Sequence, residues 1–149
     1  MAIPQRCLRA YECLMGFVKN VMIKLHRRSG DRFMGMDLLY LTTVGAKTGQ
    51  KRQSPVARFA DGDDAWLVVA SNGGSSRHPN WYVNLRAHPD QVWIEVAGRS
   101  VQATVEKLEG PGRDTAWQRI TASQPRFAGY QRKTARVLPV VRLSAASER

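Results

Sequence analysis

Three apolar or β-branched runs, Leu38–Val44, Gln53–Ala60 and Ala65–Ala70, follow one another with only eight and then four residues between them. A parallel crossover needs roughly a dozen residues or more, so these runs can pair only as antiparallel hairpins. The second connection, Asp61-Gly62-Asp63-Asp64, has hairpin-turn chemistry. Pro55 marks an edge or a bulge, because proline has no N–H to give to an interior ladder. Two further runs, Gln91–Val96 and Ser100–Lys107, meet at Ala97-Gly98-Arg99, and Val137–Leu143 adds a last strand. About six short strands, mostly in hairpins, specify a small antiparallel barrel with helices at its periphery. A doubly wound parallel sheet is excluded by the short connections. No internal repeat or interdomain linker interrupts the pattern.

Helical periodicity appears in three places. From Pro4 to Arg28, the residues Leu8, Tyr11, Leu14, Met15, Val18, Met22 and Leu25 recur at three- and four-residue intervals. Ser29-Gly30 ends that segment, with Arg27 and Arg28 in the last turn as the helix dipole favours. Residues 1–30 therefore read as a basic amphipathic helix, and 31–149 as one barrel domain. Two surfaces suit such a helix, the barrel itself or anionic lipid. Pro79 opens a second helix over Asn80–Ala87, and Pro111 a third through Ala122. Gln124 to Arg136 reads as irregular and basic, and the tail from Ser144 as frayed.

The 149 residues suffice for one domain with a real core. The 23 Lys and Arg against 12 Asp and Glu leave a net charge of +11, which calls for an anionic partner. Cys7 and Cys13 have neither CxxC nor zinc-site spacing and read as free thiols in a reducing cytosol. His26, His78 and His88 lack metal-like spacing, so no metal is expected. No uninterrupted apolar stretch resembles a signal peptide or approaches the roughly 20 residues of a membrane span. The expected location is the cytoplasm, with peripheral contact at the inner face of the cell membrane through the first helix. Oligomeric state is open.

Three stretches can carry chemistry. In TTVGAKTGQKRQSP (42–55), Gly45 and Gly49 bracket Lys47, with Lys51 and Arg52 close behind. The spacing is not that of a Walker A loop. Glycines still let backbone N–H groups approach an anion, and Lys47 and Arg52 can hold a phosphate. A solvated hairpin turn is the competing reading. In SNGGSSRHPNWYVNL (71–85), small residues leave room for a flat ligand that Trp81 could wall; a plain connecting loop with Trp81 in the core is the alternative. In FAGYQRKTAR (127–136), Tyr130 can donate a hydrogen bond to a substrate oxygen or can simply be packed.

Taken together, GAKTGQKRQSP, VVASNGGSSRHPNWYVNLRAHP and GYQRKTARVLPVV, in this order and spacing from about Leu38 to Val141, resemble the deazaflavin-dependent nitroreductase family of actinobacteria. The resemblance implies a six-stranded split β-barrel of the flavin-binding type. It also implies use of reduced coenzyme F-420, an 8-hydroxy-5-deazaflavin with a phosphodiester and an oligoglutamate tail. By that resemblance Lys47, Thr48 and Arg52 hold the phosphate and tail. Ser54, Pro55 and Val56 line the ring edge with backbone groups. Ser71, Asn72, Gly73, Gly74, Pro79, Trp81 and Asn84 complete the pocket. Lys51, Arg58 and Arg77 are further candidates for the tail. A polyanionic tail would account for the excess of cations. Tyr130 matches a family tyrosine that places the acceptor, a quinone, an enone or a nitro compound. Ala46 stands where relatives often carry another cation, Asn72 where some carry lysine, and Phe127 where some carry a second tyrosine.

Three alternatives are distinguishable. An FMN-dependent split barrel would leave the tail-directed cations surplus. A nucleic-acid-binding module would interleave aromatics with cations along a sheet face, which this chain does not do. A peripheral membrane protein would act through its first helix and is compatible with the enzyme reading.

Overall fold

A computed structural model describes residues 32–146. The expected first helix and the last three residues lie outside the described residues. The strands are β1 (Arg32–Phe33), β2 (Met36–Val44), β3 (Lys51–Ala57), β4 (Phe59–Ala60), β5 (Ala65–Val69), β6 (Trp93–Val96), β7 (Arg99–Lys107) and β8 (Val140–Ala145). The helices are α1 (Asn80–Ala87), α2 (Gly110–Ser123) and α3 (Arg126–Arg132), with a single 3-10 turn at Asn72–Gly74.

Every strand pair is antiparallel, as the short connections dictate. The ladder runs β1-β2-β6-β7-β8-β5-β4, and β3 pairs with β2 off this path. The sheet curls on β7. Residues 99–102 of that strand pair with β6, and residues 103–107 pair with β8. The result is a curled half-barrel. Between β6 and β7, Ala97 and Gly98 both have positive φ, 50° and 81°, which gives the two-residue hairpin the twist its strands need.

Alternation along β5 divides the core. Leu67 and Val69 face one cluster with Ala116 and Ile120 of α2, Phe127 of α3, Leu138 and Val140. Val68 faces the other, with Leu39, Leu41, Ile94, Val141 and Leu143 of the sheet and Tyr82 and Leu85 of α1. β2 is buried on both faces, so Leu38, Leu39, Tyr40 and Leu41 form an unbroken apolar run rather than an alternating one. Each such side chain stabilises the fold by about 2 kcal/mol.

Three expectations change. The run Gln53–Ala60 forms two strands, because the Arg58 N–H leaves the line and donates to Asp37 O at 2.9 Å. With β1, the described residues therefore hold eight strands, two of them only two residues long, rather than six. The segment 124–136 is not irregular throughout. It contains α3, held by the buried Phe127, whose ring meets Phe59 edge-on at 5.6 Å. The last strand starts at Val140 and runs to Ala145, so Ser144 is paired and not frayed. Pro55 does lie on a strand with one ladder neighbour, opposite Tyr40.

Candidate functional site

The cationic turn joins β2 to β3 and is closed by its own backbone. The Gly45 N–H donates to Gln50 O at 2.8 Å, the Gly49 N–H to Gly45 O at 2.9 Å and the Gln50 N–H to Thr48 Oγ1 at 3.3 Å. A Cβ on Gly45 would collide with Thr48 Oγ1, so any larger residue would push the threonine out of the turn. This closure leaves the cations on the outside. Lys47 is exposed and has no ion-pair or hydrogen-bond partner among the described residues. Arg52 makes one long contact, 3.5 Å to Gln50 Oε1, and Lys51 Nζ lies 4.2 Å from the Trp93 ring centroid. Other arginines are neutralised. Asp61 pairs with Arg119 and Arg142, and Arg142 also pairs with Glu106. The Arg142 hydrogen bond holds the Asp61 carboxyl below the usual carboxylate range.

Helix α1 fastens the turn to the barrel. Asn84 Oδ1 accepts from the Ala46 N–H at 3.0 Å, while Asn84 Nδ2 donates to Thr43 Oγ1 at 3.4 Å. Thr43 is the buried polar residue of β2 and would otherwise lack a donor there. Asn84→Ala is expected to lower unfolding free energy by about 1–3 kcal/mol, because it orphans a buried hydroxyl and a turn N–H. Urea denaturation of the variant checks this; an unchanged midpoint would mean that the turn holds without α1.

The loop before α1 is built around Arg136. Its guanidinium donates to four carbonyls: Ala70 O at 3.1 Å, Ser71 O at 2.9 Å, Ser75 O at 2.8 Å and Arg77 O at 3.2 Å. It also lies 3.2 Å from His78 Nδ1. Burial, reinforced by Arg136, holds the His78 imidazole below its ordinary pKa and so neutral, which lets Nδ1 accept. Within the loop Asn72, Gly73 and Gly74 have φ of 47°, 64° and 85°. Asn72 Nδ2 donates to Arg77 O at 3.2 Å.

Tyr130 enters the site through its helix. Gly74 is buried against α3, close to Tyr130 O and the Lys133 stem. The Tyr130 ring is half-buried against the second core cluster. It meets Phe127 edge-on at 5.5 Å, with Lys133 Nζ 5.7 Å from its centroid. Its hydroxyl has no hydrogen-bond partner among the described residues.

The sequence-predicted residues thus fall into two groups that α1 connects. Lys47 and Thr48 lie on the turn, which Asn84 ties down, and Arg52 follows at the start of β3, opposite Thr43. Ser71, Asn72, Gly73, Gly74 and Pro79 lie on the loop, which packs on the helix of Tyr130. On β3, Ser54 and Pro55 are half-buried and Val56 points into the core, so the valine can offer a ligand only its backbone. Trp81 is half-buried, packed on the core and edge-on to Tyr82 at 6.1 Å. Arg58 is elsewhere. Its Nε donates to Leu38 O at 3.0 Å, and it lines a cleft of about 560 Å³ with Phe59, Arg119 and Ile120. Both arginines of that cleft already have protein partners, which makes it a poor anion site. Sequence reasoning missed the clasp of Arg136 and His78. Their partners are 58 to 66 residues apart in the chain, and no local motif announces such a contact.

Comparison with known proteins decides the family. The model of the F420H(2)-dependent quinone reductase family matches residues 17–144. This chain belongs to the F420H(2)-dependent quinone reductase family. An F420H(2)-dependent quinone reductase of Mycobacterium tuberculosis is 40% identical over 121 residues, covering 78% of this chain and 80% of the relative. A solved F420-H2 dependent reductase, FDR-A, is 35% identical with a TM-score of 0.64 over 72% of this chain and 93% of that one. A solved domain-swapped dimer is 30% identical with a TM-score of 0.65 over 95% of this chain and all of that one. Membership makes the chain an oxidoreductase, and the half-barrel a split barrel like that of its structural relatives.

Proposed function

We propose that this reductase draws on reduced coenzyme F-420 to reduce a quinone, and that the turn at 45–52 and the loop at 71–78 hold the cofactor. The observation that carries this reading is the turn's charge. Lys47, Lys51 and Arg52 have no carboxylate counter-ion among the described residues, although the same protein neutralises Arg119 and Arg142. Cations without a carboxylate partner, on a glycine-closed turn and the first two residues of the strand after it, suit a phosphodiester and a carboxylate tail. FMN has no such tail and would leave the turn's cations with less to do.

Each residue then has a task. Lys47 and Arg52 hold the phosphate and the nearer carboxylates, with Arg77 on the opposite loop for the rest. Thr48 and Asn84 keep the turn in shape. The backbone of Ser54, Pro55 and Val56 and the loop Ser71–Gly74 orient the flat ring, and Trp81 limits its movement on α1. The bound cofactor supplies a hydride from carbon 5 of its reduced ring. Tyr130 Oη is free to donate a hydrogen bond to the acceptor oxygen and to place it. Enones and nitro compounds carry similar acceptor oxygens and belong to the same reading. The absence of a tyrosine hydroxyl at Phe127 weighs against nitroimidazoles.

The deciding experiment is a fluorescence titration of the protein with oxidised and reduced F-420, with FMN in parallel. Saturable binding of the deazaflavin supports the reading, and binding of FMN alone would replace the cofactor. Tyr130→Phe is expected to keep cofactor affinity and slow quinone reduction by about tenfold, the scale of one lost hydrogen bond. Unchanged turnover across quinones, enones and nitro compounds would remove Tyr130 from the mechanism. No helix among the described residues is long and apolar enough to cross a membrane. We place the reaction in the cytoplasm, with a membrane quinone met at the bilayer surface by the basic segment before residue 29. Sedimentation with anionic vesicles, repeated at high salt, tests that contact.

A further inference from the structure

Arg136 makes more hydrogen bonds than any cation facing the solvent needs. Four of its five contacts are backbone carbonyls of one loop, and the fifth is a histidine in that loop. The arginine is itself held. Gln131 Nε2 donates to Arg136 O at 2.7 Å, and Gln131 Oε1 accepts from the Leu138 N–H at 3.0 Å. Gln131 follows Tyr130 on α3, so the guanidinium is referenced to the helix that carries the acceptor-placing tyrosine. The planar fork is suited to this task. A guanidinium presents five N–H donors in a fixed geometry, whereas an ammonium on a flexible stem cannot span acceptors on four residues.

We propose that Arg136 is a positioning residue for the cofactor site. Its guanidinium gathers the carbonyls of Ala70, Ser71, Ser75 and Arg77 onto one point, and this fixes Asn72-Gly73-Gly74 in the shape that receives the ring. The proposal rests on the reading that this loop belongs to the F-420 site. Two physical consequences follow from the clasp. Carbonyl oxygens that faced the ligand would repel a phosphate and carboxylates; turned onto Arg136, they do not. Of the three consecutive positive φ angles only that of Asn72 is sterically costly, and the two glycines lose much conformational freedom when held in one shape. Without the clasp, that conformation would be one of many and the cofactor would have to select it, with affinity reduced by the fraction populated.

The test uses the full chain with Arg136→Ala and Arg136→Lys. Two quantities are read: amide hydrogen exchange across residues 70–78, and the dissociation constant of reduced F-420 by fluorescence. The expected result for both variants is at least tenfold faster exchange in 70–78. Exchange in β5 and β8 stays as in the wild type, and affinity is at least tenfold weaker. The core exchange separates positioning from general destabilisation. Wild-type affinity in Arg136→Lys would show that charge alone suffices and would overturn the proposal. So would faster loop exchange without loss of affinity, or unchanged loop exchange. If Arg136→Ala does not fold, Arg136→Lys carries the same measurements, since it keeps the stem and the charge. If the wild type itself fails to bind F-420, the functional reading and this proposal fall together; the exchange data then report separately whether the clasp exists.

Discussion

Changing Lys47 and Arg52 together to alanine is expected to weaken binding of reduced F-420 by about a hundredfold and to leave the fold intact. Hydrogen bonds to charged groups contribute about 1.5–3 kcal/mol each. The lower end applies here, because both side chains are exposed and solvent screens them. That is about tenfold per residue, and the two effects add if each cation meets its own anionic group. The intact fold follows from the same geometry. Lys47 has no partner to lose among the described residues, and Arg52 has only the long contact to Gln50. The turn's closure depends on Gly45, Thr48, Gly49 and Gln50 instead. Fluorescence titration at low and high salt checks the prediction, with thermal melts of each protein. Wild-type affinity should fall with salt, and that of the double variant should fall much less. Arg119→Ala is the control. It removes a cation already paired with Asp61, so it should cost stability and spare affinity. Wild-type binding by the double variant would move the anion site away from this turn.

Local patterns made much of the fold legible. Helix α1 occupies the span that Pro79 and the polar loop before it indicate. The hairpin turns stand where glycine and aspartate place them, and β2 is the buried strand that its apolar run requires. What was not legible depends on contacts far apart in sequence. Helix α3 is seven residues long, with Phe127 its buried residue, so its periodicity is too short to read. It forms because Phe127 reaches Phe59 across the fold. The break at Arg58 likewise depends on Asp37 O, on another strand. The candidate site divides in the same way. The cationic turn and the glycine loop could be seen in the sequence, since they need special residues at fixed positions. Arg136 closes a stretch that reads only as irregular and basic, because only folding brings it to the loop. Asn84 reads as a residue of the pocket wall, and the structure gives it a fastening task that joins Thr43 to Ala46.

Gly74→Ala is expected to lower unfolding free energy by about 2–5 kcal/mol. Two separate costs meet at this position. The residue has φ of +85°, in the left-handed region where a Cβ crowds its own backbone for roughly 1–2 kcal/mol. The added carbon would also lie 2.7 Å from Tyr130 O and 3.0 Å from Lys133 Cβ. A lysine stem can give way, but a helix carbonyl cannot, so relief requires the loop and α3 to move apart. Overpacking of this kind costs about 1–3 kcal/mol. Gly73→Ala separates the two terms. Its φ is +64° and no atom lies within 4 Å of the position its Cβ would take, so only the first cost applies, about 1–2 kcal/mol. Urea unfolding curves with a common slope measure both. Equal losses in the two variants would mean that the approach to α3 constrains nothing. A larger loss at Gly74 would establish that close packing, and not backbone conformation alone, demands glycine there. The separation should also reach the chemistry. Because a Cβ at Gly74 would press on the backbone of Tyr130, moving the loop away shifts the segment proposed to orient the ring relative to the tyrosine proposed to place the acceptor. Folded Gly74→Ala protein should therefore lose turnover that Gly73→Ala retains.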